Sequence, residues 1–457
     1  MKLENTNRLL LGLVEKLQKT PEEAEAILKS LTLRIVATPA AVASAAAQAG
    51  LLTAINAGKR CFLGGVSVEG LDKLIDLKVP YAPYRTLNEV VANLLPNPLV
   101  RGSFTETIYV GQPPLEVDSR DWVVHCAGWR GGVTVGRVPV TFAVDPAKDF
   151  ALGGVYAGGL AVHHAFFRAA QFSQRLEEPH GISLWNLDRN WTVGTGDGPA
   201  LDCLPSALWL IGLGHLGQAY LWTLALLPFS NPASCQLMLQ DFDILADENR
   251  DASLLATDAD VGKRKTRICR DWLEARGFTD LLINDRAFDE DTHRYDGADR
   301  REPHVALCGL DNRAGRRHLG DANFKRVLEC GLGGFAADFD QIGFHSFPTP
   351  NADPAKLWEG DVSEEASPTR RKILEKTIGP CGAVPLASAA ISSSFVGAAA
   401  ASFIIAELLR MYHGGRQCWD GDVCLRASGS GGFKIEAKPY DAVEIARAGV
   451  CGITPLT

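Results

Sequence analysis

Gly212-Leu213-Gly214-His215-Leu216-Gly217 is where this chain most plainly provides for backbone chemistry. Glycines at that spacing tighten a turn and let backbone N–H groups and a helix N-terminus approach phosphate oxygens. Asp241 and Asp243 follow the last glycine by roughly 20 residues, the separation at which an acid takes a ribose hydroxyl. A bound nucleotide is the expectation. These residues alone leave its identity open, an NAD-type dinucleotide included.

For these groups to meet, the elements around them must be a strand, a turn, a helix and a second strand. Ala207–Ile211 is an apolar run that reads as a buried parallel strand. A helix is expected over 218–227, closed by Pro228, and a second strand over 235–239, ending at Asp241-Phe242-Asp243.

Further motifs follow in order: Asp247-Glu248-Asn249, then Asp260-Val261-Gly262-Lys263-Arg264-Lys265, then Leu307-Cys308-Gly309-Leu310-Asp311-Asn312. Nothing in hydride transfer calls for them. Together, over roughly 206–412, they resemble the ubiquitin-activating enzyme superfamily, which includes the ThiF/MoeB-type adenylyltransferases. The resemblance implies ATP and Mg2+. Gly212, Gly214 and Gly217 would lie at the phosphates, Asp243 or Asp241 at the ribose, and Asn249, Lys265 and Asn312 near the phosphates. Asp311, past a buried strand at the carboxyl edge of the sheet, would be the metal ligand, since a hard dication favours oxygen. The Lys265 ammonium would stabilise charge building on pyrophosphate, and Arg316 is placed by the same reading at the phosphates.

The superfamily pattern has an arginine where Ala252 stands, in Asn249-Arg250-Asp251-Ala252-Ser253. Either Arg250 reaches in from a shifted backbone, or an arginine from the other half or another subunit supplies the charge. Cys381, in Gly379-Pro380-Cys381-Gly382-Ala383-Val384-Pro385, matches the superfamily cysteine that accepts an acyl group as a thioester or handles sulfur. A helix expected over 386–410 would lower its pKa through the positive end of its dipole. Cys308 and Cys330 fall on buried strands. The paired Cys-x-x-Cys ligands of the superfamily's zinc are missing, Cys418 and Cys424 being too far apart, so no zinc is expected.

Length and composition bound the rest. The 457 residues allow about two or three domains. A net charge of -8 argues against a nucleic-acid partner. Eleven scattered cysteines suit a reducing cytoplasm better than a disulfide framework, and the first residues lack a signal-peptide layout. The apolar stretches 204–229 and 383–409 read as buried α/β elements rather than membrane spans.

The expected fold is α/β, a Rossmann-like ThiF-type adenylation domain over 205–457 with a catalytic cysteine and a charged crossover loop over 353–376. An N-terminal helical segment (1–55), a degenerate, inactive adenylation-like domain (56–175) and a linker (176–204) precede it. The duplication rests on three parallels: Cys61 to Val66 against the glycine-loop strand, 122–128 against 303–309, and 151–168 against 393–410. His163 and His164, adjacent on a helix, point apart and do not share a metal.

The implied activity is ATP-dependent adenylation of the C-terminal glycine of a ubiquitin-like protein, then thioester formation and transfer to a conjugating enzyme. The architecture suggests a bacterial operon, antiphage defence among the settings, with a homodimer allowed. The alternatives are a sulfur-carrier adenylyltransferase of the thiamine/molybdopterin type and a non-catalytic nucleotide-binding scaffold.

Overall fold

The computed structural model describes residues 7–454 apart from 101, 114–116, 137, 139, 141–144, 173–177, 193–197, 296–301, 350–351, 361–366, 379–385, 427–431 and 441–448, and apart from the side chains of 437 and 438. Two mixed sheets organise it. The first contains β1 (Thr32–Ala37), β2 (Gly65–Glu69), β3 (Glu106–Val110), β4 (Trp122–Ala127), β5 (Arg130–Val135) and β6 (His180–Ser183), in the order β2-β1-β3-β4-β5-β6. After a short β7 (Leu204–Pro205), the second contains β8 (Ala207–Ile211), β9 (Gln236–Gln240), β10 (Leu281–Asn284), β11 (Val305–Cys308), β12 (Arg326–Leu332), β13 (Gln341–Phe347), β14 (Arg416–Cys424) and β15 (Gly432–Pro439). Its order is β10-β9-β8-β11-β12-β13-β14-β15. A last strand, β16 (Val450–Cys451), pairs with β7.

The order and directions of the first sheet recur in the second as β9-β8-β11-β12-β13-β14. In each, the first four strands are parallel and the next two antiparallel. The strand-level parallels read from the sequence are displaced. The counterpart of β8 is β1, not 61–66, which is mostly turn, and 122–127 occupies the place of β12 rather than β11. The segment 1–55 is therefore not all helical. Its helices Arg8–Leu17 and Pro21–Ser30 are followed by β1, hydrogen-bonded on both sides, to β2 and β3. Leu33, Ile35 and Ala37 alternate inward there, a period of two too short to stand out between helices. Likewise β6 falls inside the stretch expected to be linker.

The core between the sheets is built of helices brought together by small residues. Ala45–Gly58 packs on Leu152–Ala169, which packs on Ser394–Tyr412, which packs on His215–Ala225. A Cβ at Gly154 would overlap the Ala46 carbonyl oxygen, and one at Gly159 would lie 2.9 Å from the Phe395 oxygen. Ser394–Tyr412 is long and apolar enough to cross a membrane by composition, and it is wholly buried in the protein. Its alanines and glycines serve helix packing. A buried bond from His163 Nε2 to Asp340 Oδ2 (2.9 Å) ties the halves, with Arg426 bracing the carboxylate. His164 turns instead to His180 (2.9 Å), so the two histidines diverge as expected, but both are buried.

Burial pushes the imidazoles of His125, His180 and His215 down to about 4 from the ordinary 6.5. A depressed imidazole contributes stability above the unfolded value and loses it as pH falls. Below 6.5 the unfolded chain takes up protons that the folded one refuses until about 4. The urea midpoint should therefore fall steadily from pH 6.5 toward 4, by several kcal/mol in all at about 1.4 kcal/mol per unit per group. A midpoint flat across that window in equilibrium urea titrations contradicts this account.

Candidate active site

In the second sheet β8 and β11 are neighbours although β9 and β10 come between them in sequence, and the crevice where the chain reverses lies at their carboxyl ends. The glycine loop leaves β8 there. Gly212 adopts φ +79°, open to glycine at little cost, and a Cβ at Gly217 would overlap the Gly212 carbonyl oxygen. Gly309, at the end of β11, closes on the same loop, since its Cβ would lie 2.9 Å from Gly217 N. Gly214 differs: a Cβ there would meet nothing within 4 Å. It is the N-cap of the 215–225 helix, and no side chain caps that helix. Open space over uncapped N–H groups is what a phosphate requires, so the chain fits the triphosphate end of a nucleotide.

The two acids are distinct. Asp241 is buried and its carboxylate accepts from Leu213 N (2.6 Å) and Asp243 N (2.7 Å), clamping the glycine loop to the end of β9. Burial raises its pKa, against the pull of Lys265. Asp243 stands about half exposed, and its carboxylate receives Lys265 Nζ at 2.7 Å. Of the pair, Asp243 is the one that presents a carboxylate to the crevice. Lys265 starts the Lys265–Glu274 helix and is buried up to its ammonium.

Asp311 lies just beyond β11, is exposed, and makes no hydrogen bond or ion pair among the described residues. That suits a carboxylate for a dication. Its charge is felt by the buried His215 imidazole across the loop. His215 Nε2 is buried without a hydrogen-bond partner among the described residues, a feature the glycine spacing gave no reason to look for. Asn312 caps the following short helix, accepting from Gly315 N at 2.7 Å.

Arg316 is engaged within the fold. Its Nε donates to the Leu310 carbonyl (2.8 Å), holding the turn that carries Asp311, and lies 3.1 Å from the fully buried Glu329. Glu329 accepts in turn from His345 Nδ1 (2.8 Å). These side chains line a cleft of about 240 Å³ whose floor includes Gly331 and Gly343, cross-strand partners on β12 and β13.

Arg250 points to an acidic cluster, Asp247 (2.9 Å), Asp251 (3.2 Å) and Asp258 (3.3 Å), and Ala252 is buried. The segment they belong to is held from the first half. Arg60 donates to the carbonyls of Arg250, Leu254 and Ala256 at 2.9 to 3.1 Å. Arg8, on the first helix, donates to Asn249 Oδ1 (3.3 Å), and its charge reaches His215. An arginine thus approaches the loop from the N-terminal segment, one of the sources left open by the sequence. Arg8→Ala should lower ATP–pyrophosphate exchange about ten- to a hundredfold. Unchanged exchange would remove Arg8 from the site.

Cys381 lies outside the described residues. The long helix expected from 386 begins at Ser394, after a separate helical turn at 386–388. Cys308 and Cys330 are buried on β11 and β12 as expected, and burial raises both thiols, Cys308 to about 12. Where β1 and β3 end, Thr38 caps the 39–42 helix, and its hydroxyl lies 2.5 Å from where a Cβ of Gly111 would stand.

The chain matches the family descriptions BilD N-terminal domain over residues 32–184 and BilD C-terminal domain over 204–415. It is 36% identical over 406 residues to the Bacterial E1-like protein BilD of Collimonas sp. (strain OK412), covering 86% of each chain. Crystal structures of E. coli MccB, and of MccB with SeMet MccA, overlap it at TM-scores of 0.32 and 0.33 with 13% and 12% identity. Those overlaps cover 52% and 63% of this chain and 64% and 72% of the MccB chains, too loose to carry an argument.

Proposed function

Because the chain belongs to the BilD family of bacterial E1-like proteins, we propose that it activates the C-terminus of a ubiquitin-like protein by adenylation and then takes it as a thioester. The supporting observation is the open cradle over Gly214, flanked by Lys265, Asp243 and an unengaged Asp311. In this reading a C-terminal glycine carboxylate oxygen attacks the α-phosphorus of ATP, the bond to the β-phosphate oxygen breaks, and pyrophosphate leaves with the electron pair. The N–H groups of the uncapped 215–225 helix and the Lys265 ammonium hold the phosphate charge. Asp243 takes the ribose, Asn249 and Asn312 border the phosphates, and Arg8 stands in for the arginine replaced by Ala252. Asp311 would hold Mg2+, which would neutralise phosphate oxygens.

The glycine-floored cleft beside the Asp311 turn suits a tail of small residues. The Cys381 thiolate then attacks the acyl carbon, the bond to AMP breaks, and the acyl group passes to a conjugating enzyme. The first half, which has no Asp-x-Asp or Asp-Asn pair, is the inactive member of the pair. A cytoplasmic bacterial conjugation system, antiphage defence included, is the setting this reading fits.

The buried Ala252 at the arginine position favours a second reading, a nucleotide-binding scaffold without catalysis. ATP–pyrophosphate exchange with a carrier ending in glycine decides. Exchange is expected to need the intact carrier tail, and Cys381→Ser should retain it while losing a thiol-cleavable carrier adduct. Exchange with no adduct on the unmodified chain leaves adenylation alone, as in a sulfur-carrier enzyme. With no exchange, only the scaffold stands.

A further inference from the structure

At the other end of β8 from the glycine loop, the chain entering the second half meets the turn that follows the long Ser394–Tyr412 helix. Carboxylate, thiol and imidazole converge there: Asp202, Cys203 and His413 place their ligand atoms within 4.8 Å of one another. His413 is not a surface residue, its side chain being only 2% exposed. Its Nδ1 lies 2.8 Å from the Leu409 carbonyl oxygen, which can only accept, so Nδ1 carries the hydrogen and Nε2 the lone pair. That lone pair accepts from the Asp202 backbone N–H at 3.2 Å, and Asp202 Oδ1 lies 3.1 Å from the same nitrogen. The carboxylate oxygen and the imidazole nitrogen are two acceptors in contact, and a cation replacing the N–H contact would bind both, with the Cys203 sulfur the third donor within reach.

We propose that Asp202, Cys203 and His413 form a Zn2+ site that fastens the segment between the halves to the end of the central helix. The donor set is nitrogen, sulfur and oxygen, which zinc accepts at about 2.0 to 2.3 Å and which magnesium and calcium, preferring oxygen alone, do not. The Leu409 carbonyl fixes the imidazole tautomer from behind, as partners of metal-bound histidines do. A fourth position is left for water. This site is unlike the paired thiols whose absence led to the expectation of no zinc, because its members are distant in sequence.

The test is Zn2+ alone, titrated into the full chain against a competing chromophoric chelator, with Co2+ substitution as the spectroscopic readout. Stoichiometric uptake is expected, with a thiolate-to-cobalt charge-transfer band. Cys203→Ser should abolish the band and weaken zinc binding by about tenfold to a hundredfold, and Asp202→Asn should weaken it comparably. Both positions are at least partly exposed, so these variants keep the fold. If the chain takes up no zinc, or if both variants bind it as the unmodified chain does, the cluster is an ordinary histidine–aspartate pair and the proposal fails.

Discussion

Asp311→Asn is expected to reduce carrier-dependent ATP–pyrophosphate exchange by about two to three orders of magnitude, the usual cost of removing a charge-stabilising group from a polar active site. The same change should leave the melting temperature nearly untouched. Asp311 is exposed and makes no hydrogen bond or ion pair among the described residues, so the fold loses no contact with it. Surface substitutions of that kind lie within about 0.5 kcal/mol. The substitution keeps size and removes charge, which isolates the metal-binding role. Exchange assays across a Mg2+ titration, beside a thermal melt, make the measurement. Exchange within threefold or so of the unmodified chain at every Mg2+ concentration would overturn the assignment of Asp311 as the metal ligand.

The largest effect on stability is expected far from that site, at Gly154→Ala. A methyl there would overlap the Ala46 carbonyl oxygen, and neighbouring Gly158 is similarly close to the Gly50 oxygen. The obstacle is backbone on backbone, so no rotamer relieves it and the two helices must move apart. Separating them opens a core holding Leu51, Ile55, Tyr156 and Leu160, all at most 1% exposed. Overpacking alone costs about 1–3 kcal/mol, and a clash with rigid backbone belongs at or above the top of that range. Gly360→Ala is the control. A Cβ at Gly360 would meet nothing within 4 Å, so the cost there is the local strain of its φ of +88°. A Gly154→Ala protein unfolding at the urea midpoint of the unmodified chain would contradict the packing described here.

The glycine loop illustrates what could be read without a fold. Its strand, Ala207–Ile211, came from an unbroken apolar run and has those bounds in the structure. The 152–169 helix was also legible, because its small, apolar pattern is long. β1 was not, because six residues of alternation between two helices carry little signal. The start of the long helix at Ser394 was lost for the opposite reason: the small, apolar stretch before it is compatible with helix and does not continue it.

The site divides the same way. Residues close in sequence announced themselves by spacing: the three glycines, Asp241 with Asp243, Asp311 with Asn312. Which aspartate clamps the loop and which faces the crevice depended on the Leu213 and Lys265 contacts, made only after folding. Arg8, on a helix, and Arg60, in the turn after one, lie some two hundred positions earlier, and no local pattern could attach them to 249–256. Local sequence determined the turns, the apolar strands and the acids at their ends, since these follow from backbone freedom and burial over a few residues. Tertiary structure decided which charges meet. Partners brought together by chain closure leave no periodic trace in the sequence between them.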